Sequence, residues 1–149
     1  MPVNPELVGR EFPPTPPYLV GREKVREFAR GVFAEDAQYT DPEAARALGY
    51  ADVVAPPTFP IVIQELTLQQ LLSEPDTGIV LSRVLHGEQK FRYSRPIVAG
   101  DLLTATLHIT SIRTLGGNAM VTSEAEITDA DGTHVVTTTS VLVVGEDAA

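Results

Sequence analysis

The stretch "VVAPPTFPIVIQELTLQQLLSEPDTG" (residues 53–78) predicts a helix that lies inside the protein. Paired prolines make the chain extended before the helix, which runs from Pro60 to about Ser73 before Pro75 ends it. Apolar residues cover much of its circumference: Ile61, Val62, Ile63, Leu66, Leu68, Leu71 and Leu72. A helix that is apolar on most sides belongs in a core rather than at a surface.

Two further helices are predicted before this central one. The segment "VGREKVREFARGVFAED" (20–36) predicts an amphipathic helix, because five apolar residues recur at helical spacing: Val25, Phe28, Ala29, Val32 and Phe33. The segment "TDPEAARALGY" (40–50) predicts a short helix, with Thr40 or Asp41 as its N-cap and Gly49 just beyond its end. Residues 1–17 are rich in proline and predict an extended leader packed over the surface.

After Gly78 the apolar residues recur with a period of two, which predicts β-strands. We expect four long strands, at 81–96, 101–114, 118–129 and 133–144, with hairpin turns at "GGN" and "DADG". Helices followed by an antiparallel meander indicate the α+β class. The hot-dog fold, in which an antiparallel sheet wraps around a long central helix, meets this description. We expect one domain over residues 1–149, with a disordered tail at 145–149.

Composition excludes several classes of function. The net charge of −9 disfavours binding to nucleic acid, which needs clustered Lys and Arg. No apolar run approaches the roughly 18–20 residues of a membrane helix, and the first residues do not resemble a secretion signal. The chain contains no cysteine, so it has neither disulfides nor thiolate metal sites. We therefore expect a soluble cytoplasmic protein that binds neither nucleic acid nor membrane.

The histidines and charged residues of the predicted strands do not by themselves indicate a catalytic or metal site. No two of the three histidines have metal-ligand spacing, and His108 and His134 are expected on polar strand faces. His86, near a strand end, suits either a structural or a catalytic histidine. Asp101 is expected to bind backbone amides in a turn. Three basic residues lie close together on one predicted strand: Lys90, Arg92 and Arg95. We expect them on a solvated strand face; alternatively, they could bind the phosphates of a pantetheine-type cofactor or an acidic carrier protein.

The strings "FARGVFAEDAQYTDPEAARALGYADVVAPPTFPIVI" (28–63) and "LHGEQKFRYSRPIVAGDLLTATLHI" (85–109) resemble the N-terminal, hot-dog domain of MaoC-like dehydratases. The likeness is greatest to the small actinobacterial subunits of the (3R)-hydroxyacyl-thioester dehydratase of type II fatty-acid and mycolic-acid elongation. It covers about residues 8–144. It implies an acyl-thioester substrate carried on CoA or acyl carrier protein, no other cofactor, and a homodimer or a heterodimer with a catalytic hot-dog subunit.

The resemblance also identifies candidate catalytic residues, with departures from the family pattern. Active members carry an aspartate, four intervening residues and a histidine, usually as "GDxNPxH". Here Asp36 falls on the aspartate, and Tyr39 best matches the place of the histidine. A phenol has a reference pKa near 10 and is a poor base at neutral pH. The family also includes subunits that lack the pair and shape the acyl tunnel while a partner supplies the pair, and this chain resembles them.

The resemblance implies a substrate site at the start of the central helix, where a backbone amide suits the developing enolate. The residues expected near the substrate are Val54, Pro57, Thr58, Phe59 and Val62. Three alternatives remain open. The chain could be a self-sufficient dehydratase in which Asp36 and His86 meet in space. It could instead be a non-enzymatic acyl-thioester-binding protein, or a hot-dog thioesterase.

Overall fold

The computed structural model describes residues 2–146 and confirms the α+β class. Within these residues three α-helices precede the long strands: α1 (Arg22–Gly31), α2 (Pro42–Ala47) and α3 (Ile61–Ser73). The strands are β1 (Tyr18–Leu19), β2 (Val84–Tyr93), β3 (Leu102–Leu115), β4 (Asn118–Thr128) and β5 (His134–Gly145). The four long strands are those predicted, displaced by one to three residues at most ends. The two-residue β1 was not predicted.

The strands of the described chain form an antiparallel sheet in the order β1-β3-β4-β5-β2. This sheet curls around α3, which confirms the predicted sheet wrapped around a long central helix. Phe59 and Ile63, at the start of α3, belong to one hydrophobic core cluster, and Leu71, near its end, belongs to a second. The helix thus runs the length of the core.

Burial of α3 differs from the prediction of a helix enclosed on most sides. Within one chain its buried residues are Ile63, Gln64, Thr67 and Leu71, two of which are polar. Five of its apolar side chains are only partly buried: Ile61, Val62, Leu66, Leu68 and Leu72. One chain therefore leaves part of the apolar circumference of α3 uncovered.

The leader adds a layer of hydrogen bonds along β3. The amides of Gly9, Phe12 and Thr15 donate to the carbonyls of Ile109, Leu107 and Ala105 at 2.8–2.9 Å. Three leader side chains are buried among the core residues: Val3, Leu7 and Phe12. Because β1 also pairs with β3, residues 9–19 run along the edge that β3 would otherwise expose.

The first helix ends earlier than the sequence predicts, and its apolar face is shorter. It stops at Gly31, and Phe33 adopts the left-handed conformation with φ 58°. The Ala34 amide donates to the Ala29 carbonyl, and the Phe33 amide donates to the Arg30 carbonyl, which is the Schellman pattern of helix ends. Phe33 thus occupies the position usually held by glycine, and it is 85% exposed rather than buried.

The predicted tail at 145–149 is only partly described. Gly145 is the last residue of β5, and the amide of Glu146 donates to the Gly117 carbonyl at 3.2 Å. Residues 147–149 lie outside the described part of the chain.

Candidate functional site

A cavity of about 430 Å³ lies beside the start of α3, at the meeting point of three segments. The loop before α2 and the end of that helix form one wall, the extended segment before α3 a second, and the end of β2 a third. Its lining is mostly apolar and rich in tyrosine: Gln38, Tyr39, Leu48, Tyr50, Val54, Ala55, Pro57, Tyr93, Ser94, Arg95 and Pro96. Concave, mainly apolar cavities with a few polar groups are the usual form of small-molecule sites.

Backbone pairing holds the walls of this cavity together. The Ala55 amide donates to the Ile97 carbonyl at 2.8 Å, and the Val54 amide donates to the Gln38 carbonyl at 2.9 Å. Val54 and Ala55 together thus join the loop of Tyr39 to the segment that follows β2.

The turn at residues 95–101 is fixed by an ionic cluster. Asp101 accepts two hydrogen bonds from Arg95, at 2.8 and 3.2 Å, and one from the Val98 amide at 2.9 Å. The prediction that Asp101 binds turn amides is therefore confirmed. Arg95 also donates to Asp129 at 3.3 Å. Because its guanidinium is committed to two carboxylates, Arg95 serves to position the cavity wall.

The other two cations that the sequence grouped with Arg95 are exposed on β2. Lys90 forms an ion pair with Glu88 at 3.3 Å, and Arg92 makes no ion pair within residues 2–146. Both side chains therefore lie on the solvated strand face that the sequence favoured.

Tyr93 is a polar group of the cavity that the sequence reasoning missed. Its hydroxyl donates to the Pro57 carbonyl at 2.6 Å, and burial raises the pKa of the phenol well above its ordinary value. Tyr93 therefore stays neutral and holds the segment before α3 against β2. Its alternation with Gln89 and Phe91 was the available signal, because alternate residues of a strand share a face.

The structure places Asp36 and Tyr39 differently relative to the cavity. Tyr39 is half-buried and lines it. Asp36 is exposed, stands at the N-cap of a short 3₁₀ turn (Ala37–Tyr39) and does not belong to the lining. Its carbonyl, not its carboxylate, accepts a hydrogen bond from the Tyr39 amide at 3.1 Å.

His86 is not brought to this site within one chain. It is exposed on β2 beside an irregularity in the pairing with β5, and it lines a separate cavity of about 110 Å³ between α3 and the sheet. Near it, Gln64 and Gln89 exchange side-chain hydrogen bonds at 2.8 and 3.1 Å. The two cavities have no lining residue in common.

Of the five residues expected near the substrate, Val54 and Pro57 line the cavity beside the start of α3. Phe59 is fully buried instead, with its ring in an edge-on contact with Phe28 at a centroid separation of 5.3 Å. Val62 packs, partly buried, against the same core cluster. Thr58 is exposed and outside the lining.

The backbone amides at the start of α3 are largely engaged. Those of Ile61, Val62 and Ile63 donate to carbonyls three residues earlier at 2.9–3.2 Å. Proline supplies no amide proton. Among the backbone amides of this first turn, the Thr58 amide has no hydrogen-bond acceptor within the described residues.

The other two histidines, His108 and His134, have different environments. His108 is on a polar face as predicted, with Nε2 3.8 Å from a Glu11 carboxylate oxygen. His134 is half-buried and has a hydroxyl partner at each ring nitrogen, which the sequence did not predict. Residues 2–146 contain no cluster of metal-ligating side chains and no helix long and apolar enough to cross a membrane.

Comparison with known proteins gives consistent similarities. Residues 6–138 match the family model described as FAS1-like, dehydratase domain region. A UPF0336 protein of Clavibacter michiganensis subsp. michiganensis is 66% identical over 149 residues, covering 99% of this chain and all of that protein.

Two solved structures are similar in both sequence and fold. A MaoC-like dehydratase is 37% identical with a TM-score of 0.85, over 93% of this chain and 42% of that protein, so the present chain spans less than half of its length. A chain of the C-terminally truncated HadBC complex of Mycobacterium tuberculosis, a (3R)-hydroxyacyl-ACP dehydratase, is 33% identical with a TM-score of 0.79, over 92% of this chain and 96% of that one.

Proposed function

Because the chain belongs to the FAS1-like dehydratase domain region family, we propose that it is the acyl-binding subunit of a (3R)-3-hydroxyacyl-thioester dehydratase. The complete enzyme would remove water from the substrate to give a trans-2-enoyl thioester. A second hot-dog chain would supply the aspartate and histidine that move the proton and the hydroxyl group.

One observation carries this proposal: the tyrosine-rich cavity is built to bind but poorly equipped for proton transfer. Its lining contains neither a carboxylate nor a histidine among the described residues, and the carboxylate of Asp36 is exposed outside it. Tyr39, in the place of the family's histidine, is a phenol. Removal of the proton next to a thioester carbonyl needs a positioned base, and loss of the hydroxyl needs an acid.

The residues present suit the binding part of the task. The apolar walls of Val54, Ala55 and Pro57 would pack against the acyl chain. The Thr58 amide, free within the described chain, would donate to the thioester carbonyl as negative charge develops there. The hydroxyls of Tyr39 and Tyr50 would hydrogen-bond the polar part of the substrate. In this proposal Thr58 and Val54 have the substrate roles that the family resemblance implied.

The edges of the sheet support the expected pairing with a second chain. The leader and β1 run along β3, whereas β2, at the other side of the sheet, pairs with β5 on one edge and has no partner strand on its outer edge among the described residues. Unpaired edge strands are prone to association. Leu85 on β2 is 72% exposed, and five apolar side chains of α3 are only partly buried in one chain. The HadBC structure is itself a complex.

Dehydration of a (3R)-3-hydroxyacyl-CoA tests the proposal, measured with this chain alone, with an Asp-x4-His hot-dog partner alone, and with the two co-expressed. We expect the chain alone to be slower than the complex by about 10²–10⁴-fold, the usual contribution of a positioned acid or base. A complex in which the partner's loop aspartate is changed to asparagine is the control, and we expect it to lose activity because the partner supplies the catalytic pair.

A pair of variants in this chain tests whether the cavity binds the acyl group. Leu48 lines the cavity and is 61% exposed, so Leu48→Trp would place a large ring in the cavity. Leu115, which is 68% exposed and lies outside the cavity, is the matched control, because Leu115→Trp introduces the same ring elsewhere. We expect only Leu48→Trp to lower kcat/KM of the complex. Full activity of the unaccompanied chain, abolished by Asp36→Asn, would replace this proposal with the self-sufficient enzyme. Saturable acyl-CoA binding without turnover with any partner would favour a binding protein.

A further inference from the structure

Ser94 and His134 form a hydrogen-bonded pair at the rim of the tyrosine-rich cavity. The Ser94 Oγ lies 2.5 Å from His134 Nδ1, and His134 Nε2 lies 2.7 Å from the Thr137 hydroxyl. Ser94 is exposed and lines the cavity, His134 is half-buried, and Thr137 is 4% exposed. A nucleophile, a base within hydrogen-bond reach and a third group that orients the base are the signature of covalent catalysis.

The backbone fixes this arrangement. Ser94 follows the last residue of β2, and its amide donates to the Val135 carbonyl at 2.7 Å, immediately after His134 at the start of β5. Thr137 follows three residues later on β5 and pairs with Arg92 of β2. His134 and Thr137 therefore stand on β5, and the backbone hydrogen bond to Val135 holds Ser94 beside them at the end of the paired strand β2.

We propose that Ser94 is an acyl-accepting nucleophile, activated by His134 and oriented through Thr137, that reacts with small activated esters and thioesters. With Nε2–H donated to the Thr137 oxygen, Nδ1 carries the lone pair that faces Ser94. Ser94 Oγ attacks the carbonyl carbon as its proton moves to Nδ1. The carbon–sulfur or carbon–oxygen bond breaks, the leaving group takes the proton, and acyl-Ser94 remains. Water then hydrolyses the ester.

This activity is distinct from the proposed dehydration, which forms no acyl-enzyme and depends on a partner. The orienting group is a neutral hydroxyl rather than a carboxylate, so the imidazolium formed during attack has weaker support than in a Ser-His-Asp triad. We therefore expect slow turnover and accumulation of the acylated chain.

The test uses the full-length chain alone with p-nitrophenyl acetate, following nitrophenol release by absorbance and the acetyl adduct by intact and peptide mass spectrometry. We expect one acetyl group per chain, on Ser94. Ser94→Ala should abolish it, and His134→Gln should slow it by about 10²-fold or more, the lower bound for a general base. Thr137→Val should slow it less. Ser82→Ala is the matched control, because Ser82 is an exposed serine with no histidine partner within the described chain.

Acetylation at other residues, or an unchanged rate at Ser94 in a folded His134→Gln variant, would overturn the proposal. Circular dichroism of each variant establishes folding, and His134→Asn gives a second substitution that keeps a polar side chain at the site. The assay needs neither a partner chain nor a hydroxyacyl thioester. Its failure would leave the dehydratase proposal standing, and failure of the dehydratase assay would leave acetylation of Ser94 untouched.

Discussion

The end of the first helix gives a sharp test of the backbone, because Phe33 occupies a left-handed position with φ 58°. Glycine reaches this region without steric penalty, whereas residues with a Cβ do not. We expect Phe33→Gly to be more stable than Phe33→Ala by about 1 kcal/mol, since alanine is unfavourable relative to glycine where φ is positive.

The comparison is made between two variants so that loss of the ring cancels. Phe33 is 85% exposed, so about 15% of an aromatic side chain is buried. For a side chain of roughly 200 Å² this is about 30 Å², or about 0.7 kcal/mol at 25 cal/mol per Å², and both variants lose it equally.

Arg30, exposed in the last turn of α1, is the matched control. There the backbone is helical, so Arg30→Ala should exceed Arg30→Gly in stability by up to about 1 kcal/mol, the opposite sign. Urea unfolding at one fixed protein concentration measures all four variants, and 1 kcal/mol moves the midpoint by roughly 0.3–1 M. A Phe33→Ala variant as stable as Phe33→Gly would show that no strain is stored at Phe33.

Three further predictions concern the packing of the leader, the loss of stability at acidic pH and the cavity wall. Gly78→Ala should lower the free energy of unfolding by several kcal/mol in urea titrations, because a Cβ would stand 2.1 Å from the Pro2 carbonyl oxygen at φ +72°. Hydrogen bonds from Arg22 hold the pKa of Asp52 at about 2, below the ordinary aspartate value of 3.8. The stability from this pair is therefore complete above pH 4 and is lost as pH falls to 2, and acid titrations of Asp52→Asn should lack that component. Tyr93→Phe should cost about 1 kcal/mol in thermal unfolding through loss of its hydrogen bond, and an unchanged Tm would show that this bond contributes nothing.

The periodicities predicted the fold well because burial follows local spacing. The alternation of Leu103, Ala105 and Leu107 located β3, and the apolar run after Pro60 located α3. The sequence could not show that Phe33 lies outside the helix, because its spacing continues the apolar face of α1. Only its left-handed backbone conformation shows that the helix has already ended. It also could not show how incompletely one chain covers α3.

The site was harder to predict, because its residues come from separate segments. Family resemblance led to Tyr39, Val54 and Pro57, which line one cavity. It could not show that Phe59 points into the core, nor that His86 lies in a different cavity. The meeting of Ser94 with His134 depends on the register between β2 and β5, and no local pattern encodes a contact forty residues apart.

The leader has a consequence for how far self-association can proceed. A sheet with two open sides can add chains at both and grow into a fibre. Here residues 9–19 occupy one side, so a second chain that joined through β2 would take up the remaining one and the assembly would close at two members. The proline-rich leader would then prevent further polymerisation through the sheet.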